Sequence, residues 1–222
     1  MKQLQNITFH HRTNDITSGV LHLIGALFAV AALAVLIVLG ASRGGTWHVV
    51  SYSLYGSGLI ILYAASSAYH LIPHKFTKTK LLFQHLDHAA IYILIAATYT
   101  PITFIALAGG WRWSIFGVIW GLAILGAALK ISRLQMLPWL SAVLYLVMGW
   151  LITVAFVPLI QSMTAATLWL LVAGGLSYTV GLAFFALDRV LPHKKYFWMH
   201  EIFHVFVLGG STLHTIVMFL IL

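Results

Sequence analysis

The chain has 222 residues, of which 61% are hydrophobic and 7% charged, with no cysteine and a formal net charge of +8. A soluble domain carries roughly a quarter charged residues, so composition excludes that class and marks an integral membrane protein. Without cysteine there is neither a disulfide framework nor a thiolate metal site, which leaves histidine and carboxylate as candidate ligands.

A helix that crosses a bilayer needs about 20 apolar residues, and seven such runs occur in chain order. Residues 1–17 form a mostly polar amino-terminal segment, expected in the cytoplasm. The first run, 19–41, is too long for a signal-peptide core and is followed by no small-residue cleavage site of the usual form, so it is expected to be retained. The second, 49–72, ends in SSAYH, where Ser66 and His70 stand four apart and share one helix face. The third, 86–108, opens on Asp87. The fourth, fifth and sixth cover 113–129, 138–160 and 166–187, with glycine-rich stretches at 117–121 and 174–181 that allow close helix approach. The seventh, 197–222, carries HEIFH, a second pair four apart, His200 and His204, with His214 ten residues further on.

No internal repeat, low-complexity tract or domain linker interrupts this pattern. The expected fold is all-α: a single seven-helix membrane domain over residues 1–222. Ten of the twelve Lys and Arg residues fall on the side of the amino-terminal tail and the second, fourth and sixth loops, with only Arg43 and Arg112 opposite. The positive-inside rule then puts the amino terminus in the cytoplasm and the carboxyl terminus outside. The basic excess is thereby topological, in contact with anionic lipid heads rather than nucleic acid. Trp111, Trp113, Trp139 and Trp198, near run ends, fit interfacial aromatic belts.

The chain has four carboxylates, Asp15, Asp87, Asp188 and Glu201, and intramembrane ionisable groups tend to mark function. In the expected topology the second run ends, and the third and seventh begin, at one interface. His70, His200 and His204 thereby supply three imidazoles at one depth, the pattern of a catalytic zinc site with an open fourth position. Asp87 fits either a direct ligand or, as favoured here, a general base for water at that position, and Ser66 either orients a partner or bonds back to its own helix.

Other polar residues have plainer readings. His10, His11, His48, His74 and His193 suit interfacial snorkelling, and His85 and His88, flanking Asp87, suit the same. Glu201 suits the helix dipole of the seventh crossing and Asp15 that of the first. Asp188 beside Arg189 reads as a solvated pair. His22 either faces the site or joins a buried polar network; His214 is either a donor to the site or a lone buried histidine.

The blocks SYSLYGSGLIILYAASSAYHLIP, LDHAAIYILIAATYTP and HEIFHVFVLGGSTLH resemble the hemolysin III family, the bacterial branch of the progestin and adipoQ receptor superfamily. The resemblance runs from about Asn14 to the end. It implies a seven-helix bundle with a cytoplasmic amino terminus and a zinc ion near the cytoplasmic face, with the family's three histidine ligands on His70, His200 and His204 and its serine and aspartate on Ser66 and Asp87. The first family block departs from its usual form: NDITSGVLHLIG keeps Asp15, His22 and Gly25 but has Ser18 and Leu21 at the usual Asn and Thr positions.

Adiponectin receptors and alkaline ceramidases are similar proteins, so the resemblance implies a zinc-dependent hydrolase acting on a membrane lipid amide or ester, with Asp87 as base, in membrane lipid homeostasis. The competing class is a non-enzymatic receptor-like or cytolytic membrane protein in which zinc is structural. A pore-forming toxin is disfavoured by the lack of a continuous polar stripe or an export signal, and a metal transporter by the lack of ligands beyond His214 in the outer half.

Overall fold

A computed structural model describes residues 2–132, 138–188, 190–191 and 197–222, with side chains from Asn14 onward and Pro138 by its backbone alone. The described residues are helical throughout their ordered elements and contain no strand. Among the described residues, seven spans are long and apolar enough to cross a membrane. Helix α1 (Lys2–Arg43) is followed by α2 (Thr46–Leu71), α3 (Thr77–Pro101), α4 (Gly109–Ile131), α5 (Pro138–Trp150), α6 (Phe156–Ser162), α7 (Ala165–Leu187) and α8 (Met199–Leu220), with α5 and α6 sharing the fifth span. Large apolar side chains such as Leu27, Val157 and Trp169 stay exposed, as lipid-facing surfaces require.

Two helices are longer than their apolar runs. α1 begins at Lys2 rather than near residue 19, and α3 begins at Thr77 rather than near residue 86. Hydropathy marks only the hydrocarbon segment, whereas intrahelical hydrogen bonds continue into the polar zone at no cost. Asp87 therefore lies well inside α3, not at its start.

Prolines disturb two spans. Pro101 ends α3, and the chain widens into a π-helical turn, Ile102–Ala106; a proline removes one ladder bond and clashes with the preceding turn. Pro158 lies just beyond a 3-10 segment, Leu151–Ala155, that separates α5 from α6. Backbone groups freed within a membrane must be satisfied by protein, and Tyr99 from α3 does this. Its hydroxyl donates to the Met148 carbonyl (2.6 Å), lies 2.9 Å from that of Gly149, and accepts from the Ile152 amide at 2.8 Å.

The core lies among α1, α2, α3 and α8. Along one face of α2, Tyr52, Tyr55 and Tyr63 are fully buried and bind α8: Tyr52 donates to the Met218 carbonyl (2.7 Å), Tyr55 meets Thr215 Oγ1 (2.8 Å) and Tyr63 donates to Ser211 Oγ (2.7 Å). Gly58 lets α2 approach α3 closely, since a methyl group there would come within 2.5 Å of the Ala97 Cβ. α7 packs along α8, while α5 and α6 touch the bundle more sparingly and leave a cavity behind them.

Candidate metal centre

The last turn of α2 and the first two turns of α8 meet at the end of the bundle where α1 begins. His70 comes from α2; His200 and His204, four apart on one face of α8, come from the other side. One ring nitrogen from each lies within 4.8 Å of the other two. His70 Nε2 and His200 Nε2 are 3.3 Å apart. His70 and His204 are almost completely buried, and His200 is half-buried.

The distal nitrogens explain why the Nε2 atoms converge. His70 Nδ1 is 3.1 Å from Asp15 Oδ1, and His200 Nδ1 is 3.7 Å from Asp188 Oδ2. An imidazole that donates Nδ1–H to a carboxylate presents a lone pair at Nε2. With His70 Nδ1 turned to Asp15, its Nε2 faces the cluster, and three imidazole nitrogens within 4.8 Å of one another suit a divalent ion. Three imidazoles without thiolate suit zinc among common ions, with a position left for water or substrate.

These contacts correct the sequence reading of Asp15. Asp15 does not serve the α1 dipole: it sits more than a turn of helix inside α1 and contacts His70 and the exposed His74, whose Nε2 lies 2.9 Å from Oδ2. Asp188 turns to His200; Arg189, its expected partner, lies outside the described residues, as do the side chains of His10, His11 and His193. Glu201 does serve the start of α8, accepting from the Trp198 amide at 2.8 Å, and is also bound at 2.8 Å by Ser18 Oγ, which ties α8 to α1 through the position where the family block usually has Asn. Asp15 and Asp188 carried no local signal, because their partners stand 55 and 12 residues away in the chain. Scarcity of acid was the one usable clue.

Asp87 and Ser66 face each other across α3 and α2 and line one cavity with His200 and His204. The groups that act on the Asp87 carboxylate are the Ser66 hydroxyl and the His70 imidazole. Ser66 Oγ is buried and makes no back-bond to its own helix. His85 instead bonds its own helix, at the Leu81 carbonyl (2.6 Å). His22, from α1, stacks on His204 with ring centroids 3.7 Å apart and packs edge-on to Tyr63, so it faces the site. His214 lies about 15 Å deeper by helical rise and bonds the Leu171 carbonyl at 3.1 Å. Gly174 makes room for its ring; a methyl there would come within 2.3 Å.

The cavity has a volume of about 310 Å3 and runs from the histidines between α3, α5, α7 and α8 towards Tyr99, Trp150 and His214. Its walls are mostly apolar, with Ser66, Asp87, His200 and His204 at one end. That is the form of a site for a ligand with a polar head and an apolar body.

The family model for haemolysin-III related proteins matches residues 10–215. The chain belongs to this family. Among relatives of this haemolysin-III related chain, a hemolysin-3 homolog of Bacillus subtilis is 39% identical over 197 residues, 89% of each chain. Hemolysin-3 of Bacillus cereus is 41% identical over 199 residues, covering 90% of this chain and 87% of that one. The human monocyte to macrophage differentiation factor is 29% identical over 175 residues, 76% of this chain and 68% of its own, which fits the wider superfamily seen in the sequence blocks. With seven apolar spans and these bacterial relatives, the protein is a multi-pass protein of the bacterial cell membrane.

Proposed function

We propose that the protein is a zinc-dependent hydrolase of the membrane, acting on a lipid amide or ester and serving membrane lipid homeostasis. The observation that carries this reading is the cavity that joins His200 and His204, two of the three converging imidazoles, with Asp87 and Ser66 to a mostly apolar chamber. His70, His200 and His204 would hold the ion, with Asp15 and Asp188 behind two of them. A bound zinc ion lowers the pKa of water and polarises a carbonyl.

The remaining work falls to protein groups. The apolar chamber binds the acyl portion and excludes bulk water, leaving the scissile carbonyl at the histidine end. Asp87 accepts a proton from the attacking water and returns it to the departing amine or alcohol. Ser66, whose hydroxyl lies beside that carboxylate, orients it or the substrate carbonyl. On the positive-inside distribution the site opens towards the cytoplasmic leaflet.

A purely structural metal is the other reading, including the cytolytic role that the relatives' names suggest. Three buried tyrosines already join α2 to α8 by direct hydrogen bonds, so that interface has little need of a metal staple. Asp87→Asn separates the two. Catalysis predicts retained fold and zinc with turnover of a lipid amide lowered roughly 10²- to 10⁴-fold. Loss of zinc in step with function, or intact zinc with unchanged function, would sink the catalytic role of Asp87.

A further inference from the structure

We propose that Asp15, clamped by Lys80, is the positioning carboxylate of the metal centre: α1 and α3 set metal affinity through the orientation of His70 without supplying a ligand. This rests on the metal-site reading above. Asp15 Oδ1 takes His70 Nδ1 at 3.1 Å, and its other oxygen, Oδ2, takes Lys80 Nζ at 3.0 Å and His74 Nε2 at 2.9 Å. A carboxylate bound by only one group can rotate about its side chain; one held on both oxygens cannot. The His70 ring is thereby held with Nε2 towards His200.

Lys80 acts on His70 by a second route. It is 8% exposed although it belongs to a run of lysines, and its neighbours Lys75 and Lys78 are exposed. A buried ammonium needs partners for its three hydrogens. Beyond Asp15, Lys80 Nζ donates to the carbonyls of Tyr69 (3.0 Å) and Ile72 (3.1 Å), with that of His70 at 3.4 Å. These carbonyls close α2, where no further helical amide is available and the helix dipole is negative. One cation from α3 therefore holds both the backbone that carries His70 and the carboxylate that aims its ring. Carboxylates behind metal-bound histidines typically account for 10- to 100-fold in metal affinity.

The test uses the purified full chain, stripped of metal, with zinc affinity measured by chelator competition and the visible absorption spectrum recorded with saturating cobalt(II). Asp15→Asn and Lys80→Met should each weaken zinc binding by about 10- to 100-fold and change the cobalt bands, because the His70 ring is no longer held. The double variant should lose less than the product of the two, since both act through one imidazole. Lys78→Met, at an exposed lysine of the same helix, should bind as the unaltered chain does. A merely structural tie between α1 and α3 would lower thermal stability but leave the cobalt spectrum unchanged, and that result overturns the proposal. Should Asp15→Asn not fold, Asp15→Glu keeps the charge and displaces the carboxylate by one methylene; unaltered affinity there is equally fatal. An unaltered chain that takes up neither zinc nor cobalt removes the metal-site reading itself, whereas normal uptake by both chain and variants removes only the role of Asp15 and Lys80.

Discussion

His204 illustrates how much one side chain carries in this bundle. It is almost fully buried, stacked on His22 at 3.7 Å, and convergent with His70 and His200. Replacing it by alanine removes one of the three proposed ligands and leaves the other two facing each other. Metal analysis should find about one zinc per unaltered chain and a marked loss in His204→Ala. Because an ion that binds only the folded state adds about 2.7 kcal/mol at a hundred times its dissociation constant, zinc should raise the melting temperature of the unaltered chain and leave that of His204→Ala nearly unmoved. Full occupancy in the variant would show that the ligand set is wrong. The three histidines were legible in sequence because two sit at i and i+4 and the third closes a helix with Ser66 four before it. Their supporting acids were not, since a carboxylate 55 positions away leaves no periodic trace.

Among the elements, the fifth span is the least regular. Its break at Leu151–Ala155 faces Tyr99, whose hydroxyl serves Met148 and Ile152 together. Tyr99→Phe keeps the ring and removes those bonds, and a buried group left unsatisfied costs about 1–3 kcal/mol. The variant should unfold earlier in detergent by that order, with the other six spans intact; an unchanged unfolding curve would show that the break needs no side-chain support. Pro158 and Pro101 stand in these spans, but proline alone does not distinguish a kink from a 3-10 segment or a π-helical turn. The partner that receives the freed groups decides between them, and here the partner is on another helix.

At the scale of the whole molecule, the site occupies the end of the bundle where α1 begins, α2 ends and α8 begins. By sequence, ten of the twelve Lys and Arg residues fall in the segments assigned to that side, so reporter fusions should place the loop at 73–76 in the cytoplasm and Leu222 outside. A cytoplasmic reporter at Leu222 would reverse the orientation and turn the cavity's polar end outward.

Composition alone determined that the chain is a membrane protein, and the lengths of its apolar runs determined seven crossings, because a bilayer imposes one thickness on every span. Spacing of four along a helix then exposed Ser66 with His70, and His200 with His204, since neighbours on a helix face are local in sequence. Tertiary structure alone decided which groups stand behind them. Asp15 reached His70 rather than a helix end, Asp188 reached His200, and Lys80 was drawn inward to the end of α2. Each of these pairings joins separate helices, and its energy comes from satisfying a charge where water is scarce, a demand that appears only once the helices have packed.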